Sequence, residues 1–285
     1  MKRKPNAPAT PRAPFIDLHL HSHCSDGSDS PTRVVERAHA LGIQALSLTD
    51  HDTTGGMAEA RAAADAVGMA FVSGVEVSCR HEDLIVHVLA YGFDTDNAPL
   101  QALLNGLAEG RAARTRAILV RLAEQGIEIR IDDLHAPSGA HALTRMHIAR
   151  LLCERGVTRT VQLAFDQFLN PGRPAWVPGT ASPVDKAIEL IHGAGGVAVM
   201  AHPYLNRRVK RSMDTLLEYP FDGIEAWHSS HSRDAVQRLR ILAMDRMLLA
   251  TGGSDCHGTA KGKPEMGNVR TPMSCWQSLR ERLGL

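Results

Sequence analysis

The 285-residue chain has few aromatics, no excess of either charge, no paired cysteines and no long apolar run, and each shortage removes a class of protein. Phe, Trp and Tyr make up 4% of the residues, with three tryptophans and three tyrosines. That is too few for a platform on which successive bases of a single strand stack. Lys and Arg number 32 against 31 Asp and Glu, so bulk charge does not coat nucleic acid, whereas a small anionic substrate needs only a local basic patch. The five cysteines (Cys24, Cys79, Cys153, Cys256 and Cys275) are odd in number and form no CxxC pair. Their usage fits a reducing cytoplasm better than a secreted disulfide framework. No apolar run approaches the roughly 18 residues of a membrane-spanning helix. Residues 1–14 carry Lys2, Arg3, Lys4 and four prolines but no apolar stretch of a signal peptide, and read as a disordered tail. The Gly-Gly pairs at 55–56, 195–196 and 252–253 follow no phosphate-loop spacing and read as turns.

What remains is ordinary globular composition, 44% hydrophobic and 22% charged, enough for one large domain or one domain with an insertion. From Phe15, short apolar strands alternate with amphipathic helices. FIDLHLH has period two, with Phe15, Asp17, His19 and His21 on one face. Ser30-Pro31 reads as a helix start and Gly42 as its end. IQALSLT is the next strand, MAEARAAADAVG the next helix, and AFVSGVEVS and DLIVHVLAYG are two strands with little between them. From about Pro99 to Pro178 the pattern turns helical, with ten arginines against seven acidic residues. It closes in the Pro/Gly-rich NPGRPAWVPG. Alternation then resumes with a helix starting at Ser182-Pro183 and strands at VAVMAHP, FDGIEAWH and MLLATGGSDCHG. These readings divide the chain into an α/β barrel-like unit over 15–98 and 182–285 and a mostly helical insertion over 99–181.

Fifteen histidines are the unusual feature of the composition. They cluster with carboxylates: His19 and His21 with Asp26, His51 between Asp50 and Asp52, Glu76 in Gly74-Val75-Glu76, His87, His202, and Asp255 with His257. Each cluster is expected at or near the C-terminal end of a strand, where active-site residues of parallel α/β barrels converge. On a strand, residues i and i+2 point the same way, so His19 with His21, and Asp255 with His257, present pairs to one cavity. Imidazole and carboxylate without thiolate suit open catalytic sites for Mn, Fe or Zn. The number of groups implies two or three ions sharing a bridging carboxylate, an arrangement able to activate water against phosphorus.

His19-Leu20-His21-Ser22 with Ser25-Asp26-Gly27, Thr49-Asp50-His51-Asp52, Gly74-Val75-Glu76 and Gly253-Ser254-Asp255-Cys256-His257 resemble the motifs of the PHP (polymerase and histidinol phosphatase) family, from about Phe15 to Gly258 apart from the insertion. The resemblance implies a distorted (β/α)7 barrel, with the insertion capping its C-terminal face, and a trinuclear site. It assigns His19, His21, Glu76 and Asp255 to one ion. Glu76 is the bridge to a second ion held with His87 and His202, and Asp26, His51 and His257 hold a third. It further implies Mn as the metal, with Fe or Zn able to use the same set, and hydrolysis of a phosphate ester by a metal-bridging hydroxide held by Glu76. His228 and His231 in EAWHSSH are candidates for a general acid or for supporting the ligands from behind.

Within the insertion, Thr144 to Arg150 and Gly172 to Pro178 resemble the branch containing RNase AM-type enzymes and 3′,5′-nucleoside bisphosphate phosphatases. Arg145, His147 and Arg173 are then the candidates for gripping a second phosphate. Arg111, Arg114, Arg116 and Arg121 read as a polar helix face with one of them reaching the pocket. Cys256 reads as core, and Trp176 and Trp227 as surfaces on which a base could stack. The implied reaction is removal of the 3′-phosphate of a nucleoside 3′,5′-bisphosphate. The alternatives are a 5′→3′ exoribonuclease acting on short RNA 5′ ends, another phosphoester such as histidinol phosphate, and, in a different class, a non-catalytic metal-containing nucleotide-binding module. Near-neutral charge favours the small substrate, and an elongated basic track from the insertion would favour RNA. No membrane association and no long nucleic-acid platform are expected.

Overall fold

The computed structural model describes residues 13–134, 143–260 and 265–285. The expected tail therefore lies outside the described residues up to position 12, as do residues 135–142 of the expected insertion. Strand β1 (Phe15–Asp17) is followed by α1 (Pro31–Ala40), β2 (Ile43–Leu46), α2 (Met57–Ala66) and β3 (Ala70–Phe71). Next come β4 (Gly74–His81), β5 (Leu84–Tyr91) and the long α3 (Ala98–Ala123), then α4 (Arg145–Glu154) and α5 (Val161–Ala164). The chain continues through β6 (Ser182–Pro183), α6 (Val184–Gly193), β7 (Val197–Met200), α7 (Arg207–Arg211) and α8 (Met213–Leu216). It ends with β8 (Gly223–His228), α9 (Arg233–Asp245), β9 (Leu249–Gly253), β10 (Thr271–Pro272) and α10 (Met273–Leu283).

Local chemistry explains the helix boundaries. The Ser30 hydroxyl accepts the Arg33 N–H and Pro31 occupies the first turn, where its missing N–H costs nothing. Gly42 ends the segment at a φ of 77°, and α1 turns Val34, Val35 and Ala38 inward. Asn97 caps α3 in the same way, accepting from Leu100. Ser182 and Pro183 do not start a helix as expected. They pair in parallel with Cys79 and Arg80 of β4, and α6 begins one residue later. AFVSGVEVS is likewise two strands, broken at Val72 and Ser73, because β3 pairs with β2 while β4 pairs with β5.

The strands form two sheets, ordered β10-β1-β2-β3 and β6-β4-β5-β7-β8-β9. Two isolated parallel bridges, Leu20 with Cys256 and His51 with Glu76, join them. Pairing thus leads from β1 through β2, β4, β5, β7, β8 and β9 back to β1. Strand β5 runs antiparallel to both neighbours, so the expected alternation of parallel strands is interrupted by one tight hairpin. Three apolar clusters pack within and around these sheets. The helical segment has a separate core of its own, including Ile118, Leu122, Ile148, Leu152 and Leu169. Among the described residues no helix is long and apolar enough to cross a membrane.

Candidate metal centre

The strand ends bring the candidate ligands together around Glu76, which is 1% exposed. Its Oε2 lies 3.2 Å from His19 Nε2, 3.2 Å from His21 Nε2 and 3.2 Å from His51 Nδ1. Its Oε1 lies 2.7 Å from His87 Nδ1 and 2.9 Å from His202 Nε2. Asp255 Oδ1 stands 3.1 Å from His21 Nε2 and 3.5 Å from His19 Nε2, and Asp26 Oδ1 stands 3.0 Å from His257 Nε2. Two expectations about placement change. Glu76 is the third residue of β4 and His87 lies in the middle of β5, so neither sits at the C-terminal end of a strand. They meet because the hairpin pairs Ser78 with His87, which sets both side chains on one face.

Two groups of ligand atoms lie within 4.8 Å of one another: His19, His21, Glu76 and Asp255, and His21, Asp26, His51 and His257. They match two of the expected ligand sets, with His21 standing beside both. Two further such groups occur: His51, Glu76 and His87, which overlaps the set expected to share Glu76, and His19, Glu225 and His228. Divalent ions fit this arrangement. Both ring nitrogens of His21, Nδ1 of His51 and Nδ1 of His87 are buried without a hydrogen-bond partner, although His21 Nε2 and the other two face carboxylate oxygens at short range. A buried polar atom left unpaired is costly, and a cation between nitrogen and oxygen satisfies both at once.

The electrostatics are those of a carboxylate ringed by imidazoles. Burial pushes Glu76 upward, but His51, His87 and His19 hold it well below the usual carboxylate range. Burial opposes charge on His21, yet Asp255 and Glu76 raise it to about 9. His51 goes the other way, and burial keeps it well below the ordinary imidazole value. The backbone is strained at the same place. Asp52, His202 and Asp255 have φ of 55°, 25° and 54°, a region that costs non-glycine residues on the order of 1–3 kcal/mol. Gly253 is required because a Cβ there would overlap the backbone nitrogen and Cβ of His19.

Several supporting residues are not evident from the motifs. Glu225 in β8 is fully buried, accepts from His19 Nδ1 at 2.9 Å and from the His202 backbone N–H at 2.7 Å. It fixes the tautomer that leaves His19 Nε2 facing the cluster. Asp50 accepts from the Ser22 N–H and hydroxyl and from the Ser25 hydroxyl, tying down the loop that carries Asp26. Asp52 accepts from the Ser78 N–H and from Arg111 Nε at 2.6 and 2.5 Å. The signal for Glu225 was a lone carboxylate in the apolar strand GIEAWH, where an unpaired acid would be costly. His228 Nε2 lies 3.4 Å from Asp255 Oδ2. His231 has both nitrogens committed to main-chain groups, Ala226 O and Tyr204 N–H, which leaves it no proton to deliver.

Above the cluster opens a cavity of about 700 Å³, with Asp26, His51 and His87 in its lining beside Arg111, Arg114 and Arg145. Two arginines of α3 reach it rather than one, because Arg111 and Arg114 lie three apart on the same helix face. Arg114 donates to Val177 O and Arg145 to Leu169 O. Burial, with Arg145 and Arg111 beside it, lowers Arg114 to about 10. Of the expected phosphate-gripping residues only Arg145 lines this cavity. His147 caps its own helix through Nδ1 with the Thr144 N–H, and Arg173 is exposed. Trp176 lines the cavity, whereas Trp227 faces an outer groove beside α9 and α10. Cys256 is core, 2% exposed.

A chain with these motifs in this order and geometry belongs to the PHP domain family, which it matches over residues 17–227. It is 36% identical to a 3′,5′-nucleoside bisphosphate phosphatase of Chromobacterium violaceum, over 94% of this chain and 97% of the relative. It is 35% identical to a 5′-3′ exoribonuclease of Haemophilus influenzae, over 85% and 89%. Its fold superposes with a TM-score of 0.85 on a Bifidobacterium adolescentis protein assigned as a metal-dependent phosphoesterase, at 32% identity and covering 96% and 98% of the two chains.

Proposed function

We propose that the protein is a metal-dependent phosphoester hydrolase that removes the 3′-phosphate of nucleoside 3′,5′-bisphosphates to give 5′-mononucleotides. The observation that carries this reading is the pairing, in one cavity, of a nitrogen and oxygen ligand cluster with five guanidiniums, of which Arg111, Arg114 and Arg145 come from the helical segment. Arg114 and Arg145 donate to carbonyl oxygens, Arg145 also lies over the Phe165 ring, and neither meets a carboxylate among the described residues, so their charge is left for a ligand. An arginine wall facing a cluster that would hold divalent ions suits a substrate with two anionic groups. A relative sharing 36% identity is named for this activity.

Two or three divalent ions, held by His19, His21, Asp26, His51, Glu76, His87, His202, Asp255 and His257, would polarise the phosphoryl oxygens and acidify water at neutral pH. Mixed nitrogen and oxygen donors suit Mn, with Fe or Zn able to occupy the same set. The chain's own residues do the rest. Glu225 keeps His19 oriented, and Asp52 holds Arg111 at the cavity wall. Arg111, Arg114 and Arg145 bind the 5′-phosphate and set which phosphate reaches the cluster, while Trp176 flanks the base. The five cysteines are unpaired, in keeping with a cytoplasmic site of action.

The test is the Mn-reconstituted protein with adenosine 3′,5′-bisphosphate beside 3′-AMP, which lacks the second phosphate. Phosphate release from the bisphosphate should exceed that from 3′-AMP by at least ~100-fold in kcat/KM, as expected for losing charge-assisted bonds of about 1.5–3 kcal/mol each. Equal rates would remove the arginine wall from the account, and no release from either would sink the hydrolase reading.

A further inference from the structure

Helix α7 has the sequence Arg207-Arg208-Val209-Lys210-Arg211, four cations in five residues of a chain whose net charge is +1. Val209 is 6% exposed and the other four are exposed. At about 3.6 residues per turn the four basic side chains fill the arc opposite Val209, so one face of the helix is wholly cationic. Arg208 is paired with Asp83 at 2.5 Å, and this is the one ion pair α7 makes among the described residues. Lys210 sits 4.7 Å above the Tyr204 ring, leaving its charge, with those of Arg207 and Arg211, without a carboxylate partner.

The position of this helix gives the charge a purpose. Asn206 and Arg208 line the same cavity as His51, His87, Arg111, Arg114 and Arg145. Only five peptide units separate the candidate ligand His202 from Arg207, a reach of at most about 18 Å. A basic run therefore borders the cavity, carried by the segment after β7, whereas on sequence alone an elongated basic track from the insertion would favour RNA.

We propose that α7 is a docking surface for the 3′-ward strand of a single-stranded polynucleotide whose 5′-terminal nucleotide occupies the cavity. The proposal rests on the phosphoesterase reading for the location of the scissile phosphate. A nucleoside bisphosphate ends at that phosphate. In a polynucleotide the same phosphate continues into the next nucleoside, which must leave the cavity through its mouth, and exposed cations beside that mouth match a phosphodiester backbone in charge. Binding through α7 is independent of base identity, since none of its side chains reads a base edge.

The experiment compares the Mn-loaded wild type with the variant Arg207→Glu/Lys210→Glu/Arg211→Glu, three positions outside the cavity lining. A 5′-phosphorylated phosphorothioate RNA decamer, labelled at its 3′ end, reports binding by fluorescence anisotropy across a salt series. Adenosine 3′,5′-bisphosphate turnover is followed in parallel. The decamer Kd should rise at least tenfold in the variant, and the slope of log K against log salt should shrink by about 2, at roughly 0.7 per lost contact. Bisphosphate kcat/KM should stay within twofold. A charge-keeping Arg207→Lys/Arg211→Lys variant should bind the decamer like the wild type. An unchanged decamer Kd in the charge-reversed protein overturns the proposal, as does an equal loss in the lysine variant. If neither substrate is hydrolysed while the decamer results hold, the hydrolase reading fails and the docking surface stands.

Discussion

The floor and the wall of the cavity are built in different ways. The floor is assembled from strand ends and the β4–β5 hairpin, with carboxylates and imidazoles buried, strained at Asp52, His202 and Asp255, and braced from behind by Glu225. The wall is helical, comes from a segment with its own apolar core, and presents Arg114 and Arg145 held by main-chain carbonyls, with Arg111 tied to Asp52. The floor is specified by what it must hold, since moving any one group breaks contacts with several others. The wall is specified by where its helices pack, and its charged tips can change while the core beneath them stays. On the proposed function, the fold would separate a constant reaction from an adjustable choice of substrate.

That contrast can be broken or sharpened by substitution. The largest effect is expected for Glu76→Gln, which removes the charge on which five imidazoles converge. Turnover should fall by roughly 10³-fold, with bound metal, measured by elemental analysis, falling alongside. Chelation of the wild type should abolish turnover in the same way, restored by adding Mn. Next, Arg114→Ala should lower kcat/KM for the bisphosphate by about 10–100-fold and leave 3′-AMP hydrolysis and metal content unchanged. A loss on both substrates would mean that wall and floor are not separate. Glu225→Gln should weaken metal affinity by about 10–100-fold in a competition titration, while KM at saturating metal moves little. The smallest effect is expected for Ile148→Val in the insertion core, about 1 kcal/mol in a urea melt, with metal content intact.

The floor was largely legible in the sequence because its residues come in short, ordered motifs at strand ends. His19 and His21 two apart, and Asp255 and His257 two apart, declare a shared direction before any fold is known. Hairpin geometry was not legible at Glu76 and His87, since nothing in either strand says which neighbour it pairs with. Glu225 was passed over because a single carboxylate in an apolar strand carries no motif, only a cost that some partner must offset. The wall was the hard part. Helical periodicity groups Arg111 with Arg114 but does not say which face meets the cavity, and that depends on how α3 packs. For the same reason the place of His147 was not legible: its Nδ1 serves in capping α4, and it stands outside the cavity lining. The basic run of α7 lay in plain view, but its meaning depended on the cavity it borders.

The bridge between Leu20 and Cys256 has a consequence for how the chain stays closed. It brings the segment holding His19 and His21 against the one holding Asp255 and His257. Ions held by both segments would cross-link the two ends of the fold around a very long loop. Loop-closure entropy grows with the logarithm of loop length, so such a clasp restricts the unfolded chain strongly. In a protein with five unpaired thiols, the metals would then do the work that a disulfide does in secreted domains. Removing them would loosen the seam between β1 and β9 first, and the hairpin of β4 and β5, closed by two residues, last.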